Sequence, residues 1–335
     1  MIRVAINGFG RIGRIAFREI ITGRDFDIVA INDLSNAEEL SHLVKYDTIH
    51  RCFHENEITY ENDEIIVAGK KRIKVFAEND PANLPWKELN IDLVLECTGV
   101  FKDFEKAYKH IQAGAKKVLL SCPGKGEMKT VIYGVNENIL DGSEKIVSAS
   151  SCTTNCLAPV LKVINDNFGI EKGFMTTVHA FTNDQVTLDI THKKGIQARR
   201  GRAASQNIIP ASTGAASSIG LVIPELKGRM DGTAYRVPVP DGSLVEVTLE
   251  LKKDTTIEEI NETFKNNQNE ALKYTLDPVV SSDIIGKRIG GLVDGLLTNS
   301  IEVDGKKLFK IVAWYDNELG YTAQMLRTAK CMFKD

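Results

Sequence analysis

Residues 2–14, IRVAINGFGRIGR, leave the chain few choices of fold. An apolar, β-branched run ends in glycine, and Gly8, Gly10 and Gly13 follow in G-x-G-x-x-G spacing. Ile12, Ile15, Ala16 and Ile20 then recur at helical spacing until Gly23 stops the pattern, so the segment reads as strand, tight turn and helix. Gly8 permits the turn, Gly10 lets backbone approach a pyrophosphate, and Gly13 lets helix and strand pack closely, with the helix N-terminus facing the phosphates. The next strand, DIVAIND, closes on Asp33, 20 residues after Gly13. A carboxylate there accepts hydrogen bonds from ribose hydroxyls and repels a 2′-phosphate, which favours NAD over NADP. A structural glycine turn beside an N-capping aspartate is the plainer alternative. The full strand–turn–helix context weighs against it.

The same rhythm continues. DLVLECTG (92–99) and KKVLLSCP (116–123) read as short buried strands around the helix-like FEKAYKHIQAGA, which predicts a parallel, doubly wound sheet. Past residue 150 the texture changes. CLAPVLKVINDNFG is a helix that Pro159 is expected to kink unless it falls near the first turns. KGFMTTVHAF, TAYRVPVP, SLVEVTLELKK and KLFKIVAWYD read as extended strands with one buried face, as in a mixed or antiparallel sheet. THKKGIQARRGRAAS (191–205) is a basic ordered loop, and GYTAQMLRTAKCMF is again helical. The expected fold is therefore α/β: a Rossmann dinucleotide-binding domain over 1–150 and an α+β catalytic domain over 151–317. A length of 335 residues suits two domains.

Hydrophobic residues are 43% and charged residues 26%, with a net charge of −3, so a large core forms and neither nucleic acid nor an anionic membrane is indicated as main partner. No run of about 18 apolar residues suggests a membrane span. The start of the chain does not read as a secretory leader. The six cysteines, at 52, 97, 122, 152, 156 and 331, form no C-x-x-C pair and no stapled framework. The expectation is a soluble protein of a reducing compartment, most simply the cytoplasm.

Chemistry concentrates in SASSCTTNCLAP (148–159). Cys152 opens a helix, where the dipole and free N–H groups favour a thiolate, and His179 ends a strand from which it can meet that helix. Such a pair gives an activated nucleophile with its base. A lone histidine is more often a structural hydrogen-bonding residue, so the pair alone is weak. Cys156 reads as a small buried hydrophobe, and a metal at Cys152 and Cys156 lacks further ligands, so no metal is expected. ASTGAA (211–216) and Arg236 in YRVPVP suit an anion. Arg199, Arg200 and Arg202 fit a solvated face, a subunit salt-bridge set or an anion site, and the sequence slightly favours the first two.

The motifs INGFGRIGR, AINDL, SSCTTNC, TTVHAFTNDQ, IIPASTGAA, PELKGRMDG, YRVPVP and WYDNELGY run the length of the chain. Together they resemble the phosphorylating, glycolytic glyceraldehyde-3-phosphate dehydrogenases. The resemblance implies NAD-dependent oxidation of glyceraldehyde 3-phosphate to 1,3-bisphosphoglycerate through a Cys152 hemithioacetal and thioester, with His179 as base. It implies that Ser151, Thr153, Thr213 and Gly214 hold the attacking inorganic phosphate, and that Thr182 and Arg236, with Arg200 nearby, hold the substrate phosphate. Gly8, Gly10, Arg11, Ile12, Gly13, Asp33 and Ser121 would line the dinucleotide, Asn79 would lie near its adenine, and Asn317 would fix the nicotinamide carboxamide. It also implies a homotetramer in which the 182–205 loop packs near a neighbouring subunit's cofactor, and a C-terminal helix, about 318–335, that returns to the first domain. That loop departs from the usual pattern, and Thr191 stands where NAD-specific members commonly carry proline. The nearest alternative is an erythrose-4-phosphate dehydrogenase, against which STGAA speaks. An NAD-binding thiol redox sensor would leave His179 and the anion groups idle.

Overall fold

The computed structural model describes residues 1–192 and 195–333. The chain divides into two compact units. Unit 1 comprises Met1–Val131, Glu137–Ser150 and the chain from Met325 on; unit 2 comprises Ile132–Asn136 and Ser151–Gln324. The short excursion Ile132–Asn136 into unit 2 has no counterpart in a cut at residue 150.

Unit 1 contains β1 (Ile2–Asn7), α1 (Arg11–Thr22), β2 (Phe26–Asn32), α2 (Ala37–Lys45), β3 (Ile58–Glu61), β4 (Glu64–Val67), β5 (Lys71–Phe76), β6 (Leu93–Glu96), α3 (Phe104–Gln112), β7 (Lys117–Leu120), β8 (Lys129–Thr130) and β9 (Ile146–Ser148). The sheet order is β3-β4-β5-β2-β1-β6-β7-β9-β8. Its centre is parallel: β1 pairs with β2 and β6, and β6 with β7. The central strands are buried on both faces, which is why β6 reads as an unbroken apolar run before Glu96. The antiparallel β3–β4–β5 meander was not foreseen. Asn62 at the tip of the first hairpin, and Ala68 and Gly69 at the second, adopt positive φ and supply the local reversal.

The glycine turn is built as its spacing requires. Gly8 has φ +91° and lies so close to Thr98 that a Cβ would approach its backbone nitrogen to 2.7 Å. A Cβ on Gly13 would meet the Gly8 carbonyl oxygen at 2.2 Å, whereas one on Gly10 would meet nothing within 4 Å. Beneath the turn lies Glu96, fully buried, as is His110. Its carboxylate accepts from the Thr98 N–H at 2.8 Å, the Thr98 hydroxyl, the Asn7 amide and His110 Nε2 at 3.1 Å. Trp86 Nε1 donates to His110 Nδ1 at 3.0 Å; an indole N–H only donates, so the ring proton lies on Nε2. The Asn32 amide nitrogen in turn donates to Asn7 Oδ1 at 2.7 Å. These bonds tie the ends of β1, β2 and β6 to α3. They offset a desolvation cost that would otherwise be several kcal/mol.

Unit 2 contains α4 (Cys152–Phe168), β10 (Ile170–Ala180), β11 (Ile209–Ala211), α5 (Ala215–Val222), β12 (Met230–Val237), β13 (Ser243–Leu251), α6 (Ile257–Asn266), β14 (Leu272–Thr275), α7 (Ser281–Ile284), β15 (Gly291–Asp294), β16 (Asn299–Val303) and β17 (Lys306–Tyr315). Helix α8 (Leu319–Cys331) begins in unit 2, and its later turns belong to unit 1. The sheet runs β11-β12-β10-β13-β17-β15-β14, with β16 on β17, and is mixed: β10 is parallel to β12 and antiparallel to β13. Its apolar face and α4, α5 and α6 share one core that includes Leu157, Leu161, Ile219, Val247, Phe264 and Ile311. Pro159 lies within α4 rather than at its start, and the helix continues to Phe168. Lacking an N–H, Pro159 gives the Asn155 carbonyl no helical donor.

The two glycines differ in a testable way. Gly13→Ala must displace α1 from the Gly8 carbonyl and is expected to cost about 1–3 kcal/mol in chemical denaturation. Gly10→Ala, facing open space, is expected to stay within about 1 kcal/mol of the parent. Equal losses would contradict the packing described.

Candidate active site

Cys152 is the first residue of α4, capped by Ser151, whose Oγ accepts from the Thr154 N–H at 3.2 Å. Ser150, just before the cap, holds φ 58° in the left-handed region. Next along the helix, Thr153 enters a buried chain: Tyr315 Oη contacts Thr153 Oγ1 at 2.9 Å and Thr177 Oγ1 at 2.8 Å. Thr177 donates its hydroxyl to the Leu244 carbonyl at 2.9 Å, so it accepts from Tyr315, and Tyr315 accepts from Thr153. Burial raises the Tyr315 phenol above its ordinary range and keeps that donor in place.

His179 stands one residue before the end of β10, in register with Arg236 on β12. Its Nε2 lies 3.3 Å from Cys152 Sγ, and its Nδ1 lies 2.7 Å from the Ala180 carbonyl oxygen. A carbonyl only accepts, so Nδ1 carries the proton and the Nε2 lone pair faces the thiol. Arg236 Nη1 approaches Nδ1 at 3.0 Å, but that nitrogen is already a donor. The guanidinium bonds instead run to the Ala180 carbonyl and Thr182 Oγ1, both at 3.0 Å. Arg236 Nε is buried with no hydrogen-bond partner among the described residues. That idle donor is what an anion site leaves open.

Burial and the neighbouring cation act on both partners of the pair. Burial pushes the Cys152 thiol up, outweighing the Arg236 guanidinium and the Thr153 and Cys152 N–H groups that pull it down. Burial and Arg236 together push His179 down to about 3. Burial of the ligand-free site therefore opposes the helix terminus at the thiol and disfavours the charged imidazolium. Cys152 nevertheless remains partly open to solvent, and Cys156 is buried, with its thiol pushed up by burial.

The other expected residues fall at defined places. Thr213 Oγ1 accepts from the Ala215 N–H at 3.1 Å, and Gly214 caps α5, placing both at that helix's N-terminus. Thr182 also donates to the Asp184 carboxylate, and Asp184 pairs with Arg200. Asp184 thereby engages two residues assigned to phosphate, a role not read from TTVHAFTNDQ. Arg202 pairs with Asp189, and Arg199 lines a cavity of about 850 Å³ with Arg200, His192 and Ser212. Lys193 and Lys194 of this loop lie outside the described residues.

In unit 1, Asp33 closes the glycine turn: Oδ2 accepts from the Phe9 N–H at 2.8 Å and Oδ1 from the Ser35 N–H at 3.0 Å. Arg11 is paired with Asp47. Burial pushes that carboxyl up, but Arg11 and the His50 and Ile49 N–H groups hold it well below the carboxylate range. With the Arg11 side chain so engaged, its backbone is the part available to a dinucleotide. Ile12 is half-buried in the first turn of α1, Ser121 is half-buried just after β7, and Asn79 is exposed in the turn after β5. The open space at Gly10, the carboxylate at Asp33 and the donors at the start of α1 fit a dinucleotide. In unit 2, Ser243 Oγ donates to Asn317 Oδ1 at 2.6 Å.

A glycine turn fit for a dinucleotide in unit 1 and a thiol–imidazole pair beside a partly idle guanidinium in unit 2 suit a dinucleotide-dependent oxidoreductase. Two family models match: "Glyceraldehyde 3-phosphate dehydrogenase, NAD binding domain" over residues 2–104 and "Glyceraldehyde 3-phosphate dehydrogenase, C-terminal domain" over 151–317. The chain is 55% identical over 334 residues to the glyceraldehyde-3-phosphate dehydrogenase of Clostridium pasteurianum, covering 100% of this chain and 99% of that protein. It is 54% identical to that of Clostridium acetobutylicum (98% and 97% covered) and 49% identical to that of Streptococcus pyogenes (100% and 99% covered). The chain belongs to the glyceraldehyde-3-phosphate dehydrogenase family, and it is an NAD-dependent oxidoreductase of glycolysis. The erythrose-4-phosphate alternative is not favoured.

Arg236→Leu removes the cation that favours the Cys152 thiolate. The pH midpoint of Cys152 alkylation by iodoacetamide, followed by peptide mass mapping, is therefore expected to move upward. An unchanged or lower midpoint would show that the guanidinium does not act on the thiol.

Proposed function

We propose that Cys152 and His179 carry the oxidation of D-glyceraldehyde 3-phosphate to 1,3-bisphosphoglycerate. The observation that supports this most is the 3.3 Å contact from Cys152 Sγ to an imidazole nitrogen whose lone pair is free. The thiol proton passes to His179 Nε2 as Sγ adds to the aldehyde carbon, and the imidazolium returns it to the new oxyanion, giving a hemithioacetal. His179 takes the hydroxyl proton again as the C–H bond breaks with its electron pair and the carbonyl re-forms, leaving a thioester on Cys152. NAD supplies the acceptor for that hydride. Inorganic phosphate then attacks the thioester carbonyl and expels the Cys152 thiolate.

Arg236, with its idle Nε, and Thr182 hold the substrate phosphate; Ser151, Thr153, Thr213 and Gly214 hold the attacking one. Thr182 and Arg200 serve these anions by turning from Asp184. Asp33, the glycine turn with Arg11 and Ile12, Ser121 and Asn79 hold the adenosine side of NAD, and Asn317 holds its carboxamide. The enzyme works as a homotetramer. Exposed apolar side chains on unit 2, including Phe174, Leu188, Ile190 and Ile301, support this reading. It acts in the cytoplasm, where the free cysteines stay reduced. Among the described residues no helix is long and apolar enough to cross a membrane.

NADH formation from glyceraldehyde 3-phosphate is expected to be sustained only with inorganic phosphate and to vanish in Cys152→Ala. His179→Asn is expected to lower kcat about 10²–10⁴-fold. Sustained turnover without phosphate, or activity in Cys152→Ala, would contradict the proposal.

A further inference from the structure

Asn317 is 5% exposed, and its only hydrogen bond among the described residues is the one from Ser243. Ser243, 1% exposed, also accepts from the Ala180 N–H, at 3.0 Å. No acceptor other than Asn317 lies within reach of the Ser243 hydroxyl among the described residues. Its proton therefore points at Asn317, and the atom receiving it must be the amide oxygen. The 2.6 Å separation agrees, since it is short for N–H···O and ordinary for O–H···O. The amide orientation is thus decided by a chain of bonds from Ala180 N–H to Ser243 O–H to Asn317 Oδ1. Both Asn317 N–H donors are left without a partner in an otherwise buried side chain.

The position of that chain is equally constrained. Gly242, just before Ser243, has φ +85°, and a Cβ there would meet the Ser281 carbonyl oxygen at 2.1 Å. Ser243 itself pairs with Tyr315 across β13 and β17. At the other end, Asp316 Oδ1 accepts from the Glu318 and Leu319 N–H groups at 2.9 and 2.7 Å, fixing the backbone around Asn317. Neither hydrogen-bonding atom can drift without disturbing a sheet or a helix start.

We infer that Ser243 is a positioning residue: it compels Asn317 to present N–H donors, never its oxygen, to the cofactor's carboxamide. This rests on the reading that Asn317 holds the carboxamide. The consequence is that the clamp recognises only the carbonyl oxygen of that group and is blind to its NH₂. A cofactor with a methyl ketone in place of the carboxamide keeps the carbonyl and loses the NH₂, so the intact clamp accepts both. Ser243→Ala frees Oδ1, and the amide then turns either way. NAD offers a partner to both orientations, whereas the ketone meets the turned amide oxygen with no donor.

The test is calorimetric titration of the whole enzyme with NAD and with 3-acetylpyridine adenine dinucleotide, in the parent, Ser243→Ala, Ser243→Cys and Asn317→Ala. Ser243→Cys keeps the bulk with a far weaker donor and serves if the alanine variant folds poorly. The ratio of the analogue's Kd to that of NAD is expected to rise about twofold in Ser243→Ala, and in the same direction in Ser243→Cys. A purely structural loss would weaken both ligands and leave the ratio alone. An unchanged ratio, with Asn317→Ala weakening both ligands, would overturn the role of Ser243 while leaving the clamp intact. Unchanged affinities in Asn317→Ala would overturn the clamp itself.

Discussion

The carbonyl oxygen of Ala180 decides the chemistry of unit 2. It accepts from His179 Nδ1 and from Arg236 at once, so the imidazole proton is held on the side away from the thiol. A histidine of the other tautomer would offer Cys152 an N–H instead of a lone pair. The same contact keeps the guanidinium beside the pair, where it favours the thiolate and disfavours the imidazolium. Burial raises the thiol and lowers the imidazole, so burial opposes charge on both partners while the guanidinium favours it on the thiol.

Ala180 serves through its N–H as well. That group fixes Ser243, which fixes Asn317, so one residue at the end of β10 orients the base by its carbonyl and an amide by its N–H. The Thr153–Tyr315–Thr177 chain does comparable work for the start of α4. Unit 1 solves a different problem with the same means. Its glycine turn leaves backbone bare at Gly10, and the buried Glu96 carboxylate, saturated by four donors, pins the strand ends that carry the turn. Losing one such donor costs about 1–3 kcal/mol, because a buried acceptor is left unpaired.

The parts legible in the sequence are those set by local pattern. IRVAINGFGRIGR announces its own strand, turn and helix because only glycine tolerates the contacts at Gly8 and Gly13. The long strands of unit 2 show in their alternation, and Cys152 and His179 stand out by residue type. Other features depend on partners distant in the chain. Nothing near Ser243 marks it as the neighbour of Asn317, and nothing near Glu96 marks it as the partner of His110. Tyr315 reads as one more apolar strand residue. Asp184 lies within TTVHAFTNDQ, yet its partner Arg200 stands 16 residues further on, across the loop that departs from the usual pattern. The thiol's surroundings are half legible for a related reason: the helix terminus is visible in the sequence, but the burial that opposes it is not. Pro159 does not end α4, which continues past it to Phe168.

The central claim is that a covalent thioester forms on Cys152. The most direct measurement is the intact mass of the enzyme mixed with glyceraldehyde 3-phosphate and NAD without inorganic phosphate, quenched in acid and mapped by peptide. The account predicts a 3-phosphoglyceroyl group on the peptide containing Cys152, discharged as 1,3-bisphosphoglycerate when phosphate is added before the quench. NADH formed with no acyl group on Cys152, or an acyl group that phosphate does not remove, would contradict it.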